Sequence, residues 1–171
     1  MGIRDRLRGD GAGERRRYQM HQQLLSVGDD YWIENEAGER AFRVDGKAVR
    51  VRETFVLEDA AGHEVAKIQE RKLSLRDTMV IERDAGNATV RKALVGLRDR
   101  FKIEVDGGPD LTARGNLLDH EYELEADGDT VASVSKKWFR VRETYGVEIE
   151  PGQDDALILA ITVALDALTR D

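Results

Sequence analysis

One eight-residue pattern recurs six times along the sequence and strongly limits the folds open to this chain. It reads aliphatic, polar, acidic, polar, aromatic, any residue, aliphatic and Glu. The clearest copies are 51–58 (VRETFVLE), 75–82 (LRDTMVIE), 97–104 (LRDRFKIE) and 141–148 (VRETYGVE); the looser copies are 27–34 (VGDDYWIE) and 118–125 (LDHEYELE). Their starting positions are 21 to 24 residues apart, which leaves room for two strands of ordinary length and two turns. The pattern therefore predicts a repeated β-hairpin.

A glycine follows each copy of the pattern after three or four residues. Glycine adopts positive φ without steric cost, which is what a tight turn between strands requires. These glycines are Gly38, Gly62, Gly86, Gly108, Gly128 and Gly152. We predict a turn near each of them, and hence six hairpins and about twelve strands.

Alternation along each copy places the aromatic (or Met) residue and the following aliphatic residue on the same face of the strand. We expect this face to line the interior, with Tyr31/Ile33, Phe55/Leu57, Met79/Ile81, Phe101/Ile103, Tyr122/Leu124 and Tyr145/Val147. The acid and Thr before them recur too regularly to form one active site. We interpret them as strand-entry residues.

The C-terminal segment is helical in character and has no polar face. Asp154 and Asp155 stand where a helix N-terminus favours acids, and 156–165 is apolar at every position except Thr162. A membrane span would need about 20 such residues. We predict a mainly β fold: a closed antiparallel barrel of about twelve strands (six repeated hairpins) enclosing a buried hydrophobic C-terminal helix at about 154–169.

Composition limits the domain organisation and the classes of partner. The 171 residues are enough for one domain, for which we expect a flexible Arg-rich arm at 1–17 and the barrel at 18–171. The net charge of −7 argues against nucleic acid as a partner. The chain has no cysteine, which excludes disulfides and thiolate metal sites and is typical of a cytoplasmic protein. We expect neither a secretory signal nor a transmembrane segment.

Several stretches of the chain resemble the LURP-one-related family. They are 18–20 (YQM), 28–36 (GDDYWIENE), 44–47 (VDGK), 49–54 (VRVRET), 66–71 (AKIQER) and the final helix. The resemblance implies the tubby C-terminal-like fold, which phospholipid scramblases share. Tubby domains bind phosphoinositides through basic residues on the barrel surface, but none of those residues can be carried over to this sequence.

Two equivalent basic clusters are the candidate ligand-binding residues. The first contains Lys67, Arg71, Lys72 and Arg76; the second contains Lys136, Lys137, Arg140 and Arg142. Both could bind phosphate groups, and Trp138 could add an aromatic anchor at a membrane interface. The alternative interpretation is a solvated barrel exterior on which these cations pair with the many acids.

No catalytic residue, metal site or cofactor is predicted. His21, His63 and His120 lack metal-ligand spacing, and we interpret His63 and His120 as surface or turn residues. The expected function is a non-enzymatic binding module for phospholipid or phosphoinositide headgroups, cytoplasmic and peripheral at a membrane. The alternatives are a protein–protein scaffold, and a hydrolase whose site the sequence does not reveal.

Overall fold

The computed structural model of the protein describes residues 13–21, 30–48, 53–71, 78–93, 100–139 and 143–169. They form twelve β-strands and one α-helix. The elements are β1 Arg16–His21, β2 Asp30–Asn35, β3 Arg40–Ala48, β4 Glu53–Asp59, β5 Glu64–Glu70, β6 Thr78–Glu82, β7 Ala88–Lys92, β8 Arg100–Val105, β9 Leu111–Asn116, β10 Glu121–Ala126, β11 Asp129–Ser135, β12 Thr144–Ile149 and α1 Asp155–Thr169. No helix in these ranges is long and apolar enough to cross a membrane.

Each strand pairs antiparallel with its sequence neighbours, and β12 pairs with β1 to close the barrel. This confirms the predicted closed barrel of twelve strands with a C-terminal helix. The sixth strand pair, however, is not a hairpin. The sixth copy of the pattern forms β12, the chain then enters the helix, and β1 supplies the pairing strand instead. Because β1 begins at Arg16, Arg16 and Arg17 belong to the barrel rather than to the predicted arm.

The alternation predicted the barrel interior. Every side chain expected there is buried, apart from Tyr31, whose side chain lies outside the described residues. Positive φ occurs at five of the six predicted turn glycines. In the fourth turn, which Gly108 N closes by donating to Val105 O at 3.4 Å, positive φ falls on the third residue, Gly107 (φ 77°), rather than on the fourth residue as at Gly38 and Gly62.

The helix passes through the barrel from one end to the other. It follows β12 after a short turn and packs mainly against β5 and β6, with further contacts to β7 and β12. Its residues are buried continuously from Ile158 to Asp166. We call the end where even-numbered strands stop and α1 begins the helix-entry end. The opposite end, where odd-numbered strands stop, is the helix-exit end.

Candidate functional site

The helix-entry end is acidic and is locked by ion pairs. Arg16 Nη2 donates to Asp155 Oδ1 at 2.6 Å, and the Tyr18 hydroxyl donates to Asp155 Oδ2 at 2.5 Å. Arg83 Nη1 donates to Asp154 Oδ2 at 2.7 Å. Burial, together with the bond to Asp155, raises the pKa of Tyr18. The turns at this end carry Glu36, Glu39, Asp59, Asp84, Asp106, Asp110, Asp127, Asp129 and Glu150, so this end does not suit an anionic ligand.

Arginines on the outer wall are mostly paired with acids on neighbouring strands. Each pair places a guanidinium nitrogen within 3.4 Å of a carboxylate oxygen. They are Arg17–Glu148 at 2.6 Å, Arg43–Glu58 at 3.4 Å, Arg91–Glu104 at 3.2 Å and Arg114–Glu125 at 3.2 Å. Such pairs add little stability at a surface, but they neutralise the wall locally.

The two predicted basic clusters lie on opposite sides of the barrel. Strands β5 and β11 are six strands apart in either direction around the closed sheet. With about 4.8 Å between strands and ordinary strand tilt, twelve strands give a barrel roughly 20–25 Å across. One lipid headgroup cannot span that distance. Of the predicted residues, Lys67, Arg71, Lys136 and Lys137 are described, whereas Lys72, Arg76, Arg140 and Arg142 lie outside the described residues.

Three of the four described residues lie at the helix-exit end. Arg71 directly follows β5, and Lys136 and Lys137 directly follow β11. Lys67 instead lies in the middle of β5, opposite Glu82 of β6. It belongs to the wall, and the structure does not bring it together with the others.

Arg100, the first residue of β8, also lies at the helix-exit end and was not singled out from the sequence. Its only sequence signal is its place before the aromatic residue of the 97–104 copy, where the three other clear copies have Thr. We refer to Arg71, Arg100, Lys136 and Lys137 as the exit-rim cations. Within the described part of the chain, no guanidinium or ammonium nitrogen of these four residues lies within 4.0 Å of a carboxylate oxygen.

The backbone at Lys136 and Lys137 is held in place by neighbouring side chains. Glu121 Oε1 accepts hydrogen bonds from Ser135 Oγ and from Lys136 N, both at 3.1 Å. Lys137 N donates in turn to Ser135 Oγ at 3.1 Å. The two lysines therefore leave the sheet from a fixed platform that also joins β11 to the start of β10.

Trp138 does not offer a free ring for a membrane anchor, contrary to the sequence interpretation. The guanidinium carbon of Arg17 lies 5.0 Å from the centre of its ring. The rings of Trp138 and Phe139 also cover Gly146 of β12 so closely that a Cβ there would lie 2.8 Å from Trp138 Cε3. The half-buried indole thus closes the barrel wall over Gly146.

A buried polar cluster lies inside the barrel near the helix-exit end. Asp166, in the last turns of α1, accepts a hydrogen bond from the Tyr145 hydroxyl and lies 3.1 Å from His120 Nε2. The His120 ring stacks on Tyr145 with ring centres 4.2 Å apart. Burial raises the pKa of Asp166, and the contacts with His120 and Tyr145 offset part of that rise. His120 does lie in a turn, as predicted, but its ring points inward.

Two polar atoms of this cluster are buried with no hydrogen-bond partner among the described residues: His120 Nδ1 and the Tyr122 hydroxyl. Burial and the nearby Asp166 raise the pKa of Tyr122 well above its ordinary value. The nearby Thr162 hydroxyl offsets part of this rise; it donates its own proton to Ile158 O at 2.9 Å and does not donate to Tyr122. The only sequence signal for this cluster was Asp166, a charged residue that interrupts the apolar run of the predicted helix.

The buried cluster provides proton-binding groups without an open substrate site. The Asp166 side chain is 4% exposed, so a substrate could not reach its carboxylate. In the described ranges, no group of three or more His, Asp or Glu residues is arranged to hold a metal ion. The candidate site for an external ligand is therefore the exit rim.

Comparisons with known proteins agree with this fold. An X-ray structure of a protein from Arabidopsis thaliana has a TM-score of 0.59 to this chain and 16% sequence identity, covering 91% of this chain and 92% of that chain. Such low identity shows the fold alone. No curated protein sequence matches the chain. A family model described as LURP-one-related matches residues 16–166, and the chain therefore belongs to the LURP-one-related family.

Proposed function

We propose that this protein is a non-enzymatic binding module that docks its helix-exit end on an anionic phospholipid surface. The observation that carries the proposal is the set of exit-rim cations, which have no ion-pair partner among the described residues, whereas the wall arginines named above are paired. A membrane is also wide enough to contact Arg71 and Lys136 together across the barrel.

The charge distribution along the barrel favours this orientation. The acidic turns surround the helix-entry end, so a negative surface repels that end and attracts the opposite one. Each Lys or Arg near an anionic membrane adds roughly 1 kcal/mol of attraction. Four exit-rim cations would therefore give roughly 4 kcal/mol, about a thousandfold in the partition constant at low salt. The proposal keeps the expectation of a cytoplasmic protein peripheral at membranes.

Flotation with phosphatidylcholine vesicles of graded phosphatidylserine content tests the proposal. Binding is expected to rise with phosphatidylserine and to fall steeply from low to physiological salt. Lys136→Ala/Lys137→Ala should weaken it by about ten- to a hundredfold. Lys102→Ala is the matched control, because Lys102 is exposed in the middle of β8, away from the rim. Absence of binding, or equal loss in the control, would overturn the proposal and favour a protein partner instead.

Two further experiments distinguish the possible sources of the phosphate groups that the exit-rim cations would bind. Because the exit-rim cations lie on opposite sides of the barrel, binding should follow surface charge rather than headgroup type. Phosphoinositide vesicles matched in charge to phosphatidylserine vesicles should therefore bind equally, and soluble inositol phosphate should not compete. Arg4→Ala/Arg6→Ala/Arg8→Ala separates any contribution of the N-terminal arginines from that of the rim.

A further inference from the structure

Leu118 is the one large hydrophobic side chain that the described residues leave exposed, at 62%. Single exposed leucines are common on protein surfaces and need no explanation by themselves. The position of this one is informative, because it lies in the turn between β9 and β10 at the helix-exit end.

The β9–β10 turn presents Leu118 on a rigid support. Asn116 Nδ2 donates to Asp119 Oδ2 at 2.7 Å, and Asp119 N donates to Asn116 Oδ1 at 3.1 Å. On one side of Leu118, Leu117 is buried in the core. Two residues later, His120 is pinned inside the barrel by Asp166. The backbone that carries the exposed Leu118 side chain therefore does not need to be ordered on binding, which lowers the entropic cost of an interaction.

The same turn is structurally joined to two exit-rim cations. Strand β10 follows the turn and pairs with β11. Glu121, the first residue of β10, accepts hydrogen bonds from Ser135 and from the backbone of Lys136. The apolar side chain of Leu118 thus belongs to the same corner of the rim as Lys136 and Lys137. An anionic surface repels the carboxylate of Asp119, but this carboxylate accepts a hydrogen bond from Asn116 within the turn.

A cationic platform beside an outward apolar side chain matches the cross-section of an anionic membrane surface. Lysines interact with phosphates at headgroup level, while a leucine a few ångströms deeper reaches the first methylenes of the acyl chains. We infer that Leu118 inserts into the acyl boundary of an anionic phospholipid membrane when the exit rim docks on it. This inference rests on the proposed function and adds a component of binding that salt does not screen.

The first test compares Leu118→Ser with the unmodified protein on phosphatidylserine vesicles across a range of salt concentrations. Insertion of a leucine this exposed predicts about five- to twentyfold weaker binding for the variant, with an unchanged salt dependence. Lys136→Ala/Lys137→Ala should instead reduce the salt dependence. Thermal melting should be the same for Leu118→Ser, because the side chain contributes little to the core.

The second test locates the turn relative to the bilayer. Leu118→Trp should show additional quenching by vesicles containing brominated acyl chains, relative to the unmodified protein with Trp32 and Trp138. The matched control is Ala61→Trp, at an exposed turn of the helix-entry end, which should show none. Equal vesicle binding by Leu118→Ser would refute the insertion and leave the proposed docking intact. Failure of the unmodified protein to bind would instead refute the docking itself. Equal quenching in the Leu118→Trp and Ala61→Trp variants would refute the proposed orientation of the barrel on the membrane.

Discussion

Removing a single hydroxyl from each of two buried tyrosines should have opposite effects on stability. Both Tyr122 and Tyr145 are enclosed in the barrel beside Asp166. The Tyr145 hydroxyl donates to the Asp166 carboxylate, whereas the Tyr122 hydroxyl has no hydrogen-bond partner in the described structure. Tyr→Phe keeps the ring at either site, so the comparison isolates the hydroxyl.

The magnitudes follow from the cost of an unsatisfied buried polar group. Leaving a buried donor or acceptor without its hydrogen-bond partner costs about 1–3 kcal/mol. Tyr122→Phe should therefore raise the free energy of unfolding by about 1–3 kcal/mol. Tyr145→Phe removes a hydrogen-bond donor from the buried Asp166 side chain and should lower the free energy of unfolding by about 1–3 kcal/mol. For a chain of this size, each kcal/mol corresponds to about 2–4 °C in the melting temperature.

Urea unfolding at neutral pH, followed by tryptophan fluorescence and by far-ultraviolet circular dichroism, measures both changes. Coincident transitions in the two signals would justify a two-state treatment. A Tyr122→Phe variant destabilised by more than about 1 kcal/mol would refute the reasoning, because the hydroxyl would then have to be hydrogen-bonded in solution. If Tyr145→Phe left the free energy of unfolding unchanged, the contact between Tyr145 and Asp166 would contribute nothing to stability.

Two further changes test the packing and the charge of the interior. Burial raises the pKa of Asp166, so between about pH 4, where an unfolded Asp titrates, and that raised pKa the folded state binds more protons. We therefore expect the unmodified protein to lose stability relative to Asp166→Asn as the pH rises through this window. A constant difference between their free energies of unfolding, measured by urea titration, would contradict a raised pKa of Asp166. Gly146→Ala would place a Cβ 2.8 Å from Trp138 Cε3 and should cost about 1–3 kcal/mol. An unchanged urea midpoint would show that the indole moves aside freely.

The barrel wall could be predicted from sequence because its signal is local. A period of two residues places Phe55 and Leu57 on one face wherever the strand lies, and the glycine spacing marks the turns. Strand β1 could not be recognised in this way, because 16–21 (RRYQMH) lacks the repeated pattern. Its assignment depends on pairing with β12, which lies more than a hundred residues away. No local periodicity reports such a contact.

The candidate site was predicted in part, and the reason is geometric. The two basic clusters lie in two different repeats, and closure of the barrel places the strands of those repeats, β5 and β11, half a circumference apart. The inward orientation of His120 was missed, because its partner Asp166 lies on the helix and is distant in sequence. Arg100 lies in a copy of the pattern and was not distinguished from the other polar residues.

Closure of the barrel by β1 and β12 has a consequence for how the protein is made. The β1–β12 ladder runs from Arg16 opposite Ile149 to His21 opposite Thr144, so a ribosome must add at least 144 − 21 = 123 residues after His21 before β1 can meet β12. Joining chain segments that far apart has an entropic cost of roughly 4 kcal/mol. Until then the growing sheet has two open edges and no helix in its interior, which is an aggregation-prone state. We expect the nascent chain to depend on chaperones until α1 leaves the ribosome, and folding of the finished barrel to be slow.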